Sequence, residues 1–336
     1  MLREIYSAGI LGVGSCIPKQ VRKNDFWDNI PLGNLPHNSR NPFEGIDERR
    51  VFPDNMLPSD AEAEAGRMAL QDAGISPGEI DLVMVQSMIQ DEILPGNASL
   101  VQYKLGLHHA GAWNVDTCCS SFVTMVANAS NLIAMGEFRK ILIITSAFNS
   151  QLSDFSDYLC INLGDAAGAV VMGVVPDGRG YVASYCNSSG QYHKAFTLME
   201  RMPYNEPNRI HYKASPQKAV LTTDPALIRE TGRNSIKNME AVLRKVLSKA
   251  DISPENVDMF FSHQPCHWAH SGWRDSIGIP DTKSYQTFRK YGNLASASIP
   301  VNLFEAKQKG LLKVGDTVLF ASSGAGENHI ATVLKW

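Results

Sequence analysis

The chain has 336 residues, 44% of them hydrophobic and 19% charged, with 26 Gly and 17 Pro; this suits a large core in two packed halves and excludes disorder and collagen-like repetition. Thirty-one Lys and Arg against 34 Asp and Glu leave a net charge of −3, which argues against nucleic-acid binding through bulk charge. No apolar run reaches the roughly 20 residues that span a bilayer, and the six cysteines do not resemble a disulfide framework, so a soluble, cytoplasmic protein is expected.

The opening MLREIYSAGILGVGSCIP is a poor signal peptide and a good first strand. Asp60–Ala73 carries a helical pattern, with Ser59 or Asp60 as N-cap and Gly74 placed to stop it. DLVMVQS, 81–87, reads as a strand buried on both faces. A strand-like NVDT then runs through Cys118 and Cys119 into a buried helix over Ser120–Met135, and Lys140–Ser146 is another central strand. The segment 191–223 is polar and rich in Tyr, His and Pro, as an insertion or cap near a site entrance would be. Beyond it, Pro225–Ala250 is a long amphipathic helix, Val257–Ser262 a strand, Pro300–Lys309 a helix and Thr317–Ser323 a strand. Alternation of this kind predicts an α/β fold with parallel-rich sheets.

The order repeats. ISPGEIDLVMVQS at Ile75–Ser87 and ISPENVDMFFSHQ at Ile252–Gln264 align under a shift of 177 residues, which also carries ILIITS at Ile141–Ser146 onto VLFASS at Val318–Ser323. Two homologous halves are expected, 1–176 and 177–336, joined near Pro176–Gly180.

Three segments can carry chemistry. Cys118 and Cys119 sit where a strand meets a helix N-terminus, whose dipole and free N–H groups favour a thiolate; neighbours on such a turn point differently, so at most one should face a site. His263 ends the second repeat strand, where α/β sheets place functional groups. With Cys266, His267 and His270 it also suggests zinc, but such a site needs about four ligands in tetrahedral array, and Pro265 disrupts any helix through the cluster. Asn293 lies in the small-residue loop YGNLASASIP, which the repeat places opposite the cysteine turn, and ASSGAGENH at Ala321–His329 could supply backbone donors.

DTCCSSF, SHQP and YGNLASASIP resemble, in order, the nucleophile turn, the histidine element and the asparagine loop of β-ketoacyl-acyl-carrier-protein synthase III, and GVGSCIPKQVRKND, GIDERR and LGDAAGAVV match too. The resemblance implies the thiolase fold: duplicated βαβαβαββ halves in five layers, α-β-α-β-α, usually as a homodimer. It implies Cys119 as the acylated nucleophile, with His263 and Asn293 binding the carbonyl of a malonyl thioester. The oxyanion hole falls to the N–H groups of Cys119 and Gly324, with Gly326 as the alternative, and the acyl pocket to Phe122 and to Leu94, the latter closing it from a partner subunit. No metal or cofactor is implied. The expected partners are acyl thioesters on coenzyme A or acyl carrier protein, the carrier docking on a basic face at Arg233, Lys237 and Arg244.

The sequence departs from the pattern at Ser121, where glycine is usual, at Cys266 and Trp268, where asparagine and a docking arginine are usual, and at Ser39 and Asp157, which replace the Trp and Arg that clamp the adenine of coenzyme A. The implied activity is therefore a decarboxylating condensation in a specialised acyl or secondary-metabolite pathway, with a carrier-bound thioester preferred. The alternative is transfer of the acyl group from Cys119 to a hydroxyl or amine without decarboxylation. A catalytically silent subunit is disfavoured, because Cys, His and Asn are all present.

Overall fold

The computed structural model describes residues 5–33, 41–92, 94–153, 155–199 and 220–336. The first half runs β1 (Ala8–Cys16), a small ribbon of β2 (Gln20–Lys23) and β3 (Glu48–Val51), α1 (Pro58–Ala73), β4 (Leu82–Ser87), α2 (Asn97–Lys104), β5 (Gly111–Asn114), α3 (Ser121–Ala134), β6 (Lys140–Phe148), the short α4 (Asn149–Leu152) and β7 (Asp165–Val174). The second runs β8 (Gly180–Ser188), a ribbon of β9 (Phe196–Met199) and β10 (Val220–Thr223), α5 (Pro225–Ala250), β11 (Met259–Ser262), α6 (Ala269–Ser276), α7 (Phe288–Tyr291), α8 (Ser298–Gln308), β12 (Thr317–Gly324) and β13 (Asn328–Lys335).

The first sheet has the order β1-β7-β6-β4-β5, with β4 parallel to its neighbours β5 and β6, and β7 antiparallel to β1 and β6. The second repeats this as β11-β12-β13-β8, and its counterpart of β5 is reduced to a single parallel bridge between Phe260 and Ser284. Helices α3 and α8 lie between the sheets in one continuous core with residues of both, such as Ile143 and Phe320. The outer faces are covered by α1 and α2 on one side and α5 and α6 on the other. That gives the five layers. β1 packs so closely on the alanine-rich α1 that a Cβ at Gly14 would stand 2.2 Å from the Ala65 carbonyl oxygen.

The duplication has a visible cause in the repeated aspartates. The Asp81 carboxylate accepts the N–H of Lys140 at 2.9 Å, where β6 begins, and Asp258 accepts that of Thr317 at 2.8 Å, where β12 begins. Each fixes the register of a parallel pair. Helix α1 starts slightly earlier than its sequence pattern: Leu57 is the N-cap and Asp60 accepts its N–H, while Gly74 ends the helix in the left-handed conformation (φ 66°). Within 191–223, β9 and β10 pair antiparallel, whereas 200–219 and Ser39 fall outside the described residues.

Candidate active site

The nucleophile turn is built by short polar side chains. Asp116 accepts the Cys118 N–H at 2.7 Å and holds Cys118 at φ 54°, the left-handed region that L residues rarely adopt. Ser121, where the related pattern has glycine, accepts the Thr117 N–H at 2.8 Å and donates to the Cys118 carbonyl at 2.7 Å. Ser322 on β12 donates to the Cys119 carbonyl at 2.9 Å. The two sulfurs lie 3.8 Å apart, and of the two residues only Cys119 lines the cleft.

The opposite turn is its image. Asn293 Oδ1 accepts the Ala295 N–H at 2.8 Å, and Ala295 is left-handed at φ 46°. Ser298 donates to the Ala295 carbonyl at 2.9 Å, as Ser121 does to Cys118. With its oxygen engaged, the Asn293 amide has its NH2 left to donate. His263 directly follows β11, is 2% exposed, and donates its backbone N–H to Ala321 at 2.9 Å. Its Nδ1 stands 3.4 Å from Ser298 Oγ, and the ring also bonds the Ala295 backbone. These partners place the proton on Nδ1 and leave Nε2 as the acceptor. Burial pulls the His263 pKa down to about 4, so the ring is neutral across the physiological range.

Cys119, His263 and Asn293 meet in one cleft of about 230 Å3, whose outer wall is Ile228, Thr231 and Gly232 of α5, with Phe196, Trp268 and Trp273. Electrostatics correct the thiolate expectation. The Cys118 thiol hydrogen-bonded to it, and burial, hold Cys119 well above the ordinary thiol range, although the Ala325 N–H pulls the other way. Two thiols this close give up at most one proton between them. The nucleophile therefore rests protonated, and the imidazole that lines the same cleft rests neutral.

The other expected residues are placed as follows. Gly324 lines the cleft as the last residue of β12, but the N–H directed at both sulfurs is that of Ala325. Gly324 serves close approach instead: a Cβ there would meet the Thr117 carbonyl oxygen at 2.5 Å and Ser120 Oγ at 2.7 Å. Phe122 does not line this cleft; it is 1% exposed and packs edge-on against Phe320 between the sheets, centroids 5.9 Å apart, because the second residue of α3 points into the central layer. Leu94 lies outside this cleft and is 86% exposed. Arg233 and Lys237 are exposed on α5 beside the wall residues, while Arg244 pairs with Glu240 at 2.7 Å and donates to the Ser276 carbonyl. Asp157 caps a short turn by accepting the Leu159 N–H at 2.8 Å. His270 turns away to Ser262 Oγ, 2.9 Å from its Nδ1. Sequence reading missed Glu327, the one carboxylate lining the cleft among the described residues; only the β12–β13 turn, with Glu327 itself left-handed at φ 53°, brings it there.

Three family models match along the chain: the thiolase N-terminal domain over residues 46–145, 3-oxoacyl-[acyl-carrier-protein] synthase III over 114–190, and its C-terminal domain over 247–336. Beta-ketoacyl-[acyl-carrier-protein] synthase III of Caldanaerobacter subterraneus is 30% identical over 99% of both chains, and a synthase III of Halalkalibacterium halodurans is 32% identical over 98% of both. The crystal structure of the synthase III of Aquifex aeolicus superposes with a TM-score of 0.85 at 27% identity, covering 98% of this chain and all of that one. Full-length similarity of this kind, on a duplicated five-layer fold with a Cys-His-Asn cleft between its halves, means that the chain belongs to the β-ketoacyl-[acyl-carrier-protein] synthase III family of condensing enzymes.

Proposed function

We propose that this enzyme acylates Cys119 from an acyl thioester and condenses that acyl group with a decarboxylated malonyl thioester. The observation that carries the reading is the convergence of Cys119 from the first half with His263 and Asn293 from the second on one cleft. In acylation, Cys119 Sγ attacks the thioester carbonyl; its proton passes to His263 Nε2 and on to the departing thiolate, so a free thiol leaves and no net proton is released. The N–H groups of Ala325 and Cys119 are suited to the oxyanion. In condensation, the bond between the carboxylate and the α-carbon of the malonyl group breaks and CO2 departs. The electron pair moves into an enolate whose oxygen accepts hydrogen bonds from the Asn293 amide and from His263 in its Nε2–H tautomer, in which Nδ1 accepts from the Ser298 hydroxyl. The α-carbon attacks the acyl carbonyl, and Cys119 leaves as a thiolate that takes a proton from solvent.

The finer assignments are part of the same proposal. Arg233 and Lys237 stand outside the α5 wall, where an acidic carrier could deliver its thioester, and Leu94 reaches a neighbouring cleft only in a homodimer. The departures at Ser121, Cys266 and Trp268 support a specialised acyl pathway.

Intact-mass spectrometry with a panel of acyl thioesters, followed by labelled malonyl thioester, tests the reading. Wild type should gain one acyl group, mapped to Cys119, and release CO2. Cys119→Ala should gain none. His263→Ala and Asn293→Ala should lose decarboxylation by about 10²–10³, the usual cost of an oxyanion donor, with Asn293→Ala still acylating fully. Acyl-enzyme that turns over to a hydroxyl or amine with no CO2 released would assign simple acyl transfer instead.

A further inference from the structure

The 177-residue shift that relates the halves carries the catalytic residues onto a second constellation: Cys119 onto Ser296, and His263 onto Gln86. The backbone image is faithful. Thr145 on β6 donates to the Ser296 carbonyl at 3.3 Å, as its counterpart Ser322 does to the Cys119 carbonyl. The side chains have diverged. Ser296 is 1% and Gln86 4% exposed, and neither lines the cleft that Cys119, His263 and Asn293 share. Instead of facing each other across a cleft, they are bonded: Ser296 Oγ donates to Gln86 Oε1 in a short hydrogen bond.

This bond ties the end of β4, in the first half, to the turn that presents Asn293, three residues before Ser296. The same turn is held from behind by Asn149 Nδ2, which donates to the Asn293 carbonyl at 2.9 Å. Cys119 hangs on different anchors, namely Asp116, Ser121 and Ser322. We propose that Gln86, acting through Ser296, is a positioning residue for Asn293: the silent image of the catalytic site fixes the geometry of the working one. The inference rests on the role given to Asn293 above.

Two properties follow from the physics. A buried hydroxyl stripped of its acceptor moves to find another, and displacement of a catalytic amide by about 1 Å costs on the order of 10²-fold. The loss should fall mainly on the second half-reaction: Asn293 acts only there, Cys119 is anchored separately, and His263, although Ala295 and Ser298 of this turn bond its ring, is carried by the end of β11.

The test uses Gln86→Leu, Ser296→Ala and the double variant of the full-length enzyme. Three measurements are made: the rate of Cys119 acylation, the rate of CO2 release from malonyl thioester, and the melting temperature. The expected result is acylation within about twofold of wild type and CO2 release down about 10- to 100-fold in each single variant. The double variant should be no slower than the worse single, as for two residues of one bond. Ser296→Ala removes only an oxygen and carries the test if Gln86→Leu does not fold. Equal losses in both half-reactions, tracking the melting temperature, would make the pair merely structural and overturn the inference. So would wild-type CO2 release in both single variants. If wild type itself releases no CO2, the decarboxylation reading falls first and this inference with it.

Discussion

Cys118 and Cys119 differ by one position and have opposite duties. Cys118 accepts the strain of a left-handed backbone so that Cys119 can enter the cleft, and the two thiols share one ionisation: Cys118 is the partner favoured to give up the first proton, which disfavours a second thiolate at Cys119. The sign of the consequence is fixed. Removing Cys118 takes away the partner that ionises first and whose negative charge disfavours the Cys119 thiolate, so Cys118→Ala should ionise Cys119 at lower pH. Alkylation by iodoacetamide, measured from pH 6 to 10, should show a midpoint moved to lower pH with Cys119 still the residue modified; an unmoved midpoint would show that burial alone holds the thiol up. The His263 pKa of about 4, set by burial, adds a second expectation: no inflection in acylation near 6.5 arises from this imidazole.

Helix α5 works on three sides. Met239, Val242, Leu243 and Val246 bury one face on the second sheet, while Ile228, Thr231 and Gly232 wall the cleft. The third side carries Arg229, Arg233 and Lys237 at intervals of four residues, all exposed. A mid-helix glycine costs about 1 kcal/mol relative to alanine, and at Gly232 a Cβ would meet nothing within 4 Å; the missing side chain leaves the cleft wall open. Charge reversal at Arg233 and Lys237 together should raise KM for a carrier-bound thioester about tenfold at low salt, with the effect fading at high ionic strength. KM for the same acyl group on coenzyme A should stay within twofold. Arg244, already engaged by Glu240 and the Ser276 carbonyl, should matter less. Steady-state kinetics at two salt concentrations decide it, and equal effects on both donors would remove α5 from carrier docking.

At the scale of the molecule, the first half carries a buried acid with no part in the chemistry. Glu62 on α1 accepts from Ser87 and Ser146, at the ends of β4 and β6, and from Asn97 on α2. Burial raises its pKa to about 7 against those three hydrogen bonds. A carboxyl whose folded pKa exceeds its unfolded value of 4.5 favours folding when protonated. That contribution is complete below pH 4.5 and is lost as pH rises through about 7. Glu62→Gln cannot titrate. Its stability relative to wild type should therefore improve by about 3 kcal/mol between pH 4.5 and 8, as read from urea unfolding at each pH; a constant difference across that range would mean that Glu62 keeps its ordinary pKa.

What the sequence determined by itself was whatever is encoded locally or by repetition. Strand and helix periods, the capping Gly74, the aspartates at 81 and 258 and the constant shift of 177 residues were enough to order the elements and to pair the halves. Cys119 and Asn293 were legible at turns marked by small residues and an Asx side chain, and His263 at the end of a repeated strand. Tertiary structure alone decided what depends on distance between segments remote in the chain. Such is the N–H of Ala325 rather than that of Gly324 at the sulfurs, the burial of Phe122 against Phe320, the thiol that stays protonated because its neighbour and the burial around it outweigh a helix N-terminus, and the bond from Ser296 to Gln86. Desolvation and hydrogen-bond geometry are sums over everything packed around a group, and no window of sequence contains those neighbours.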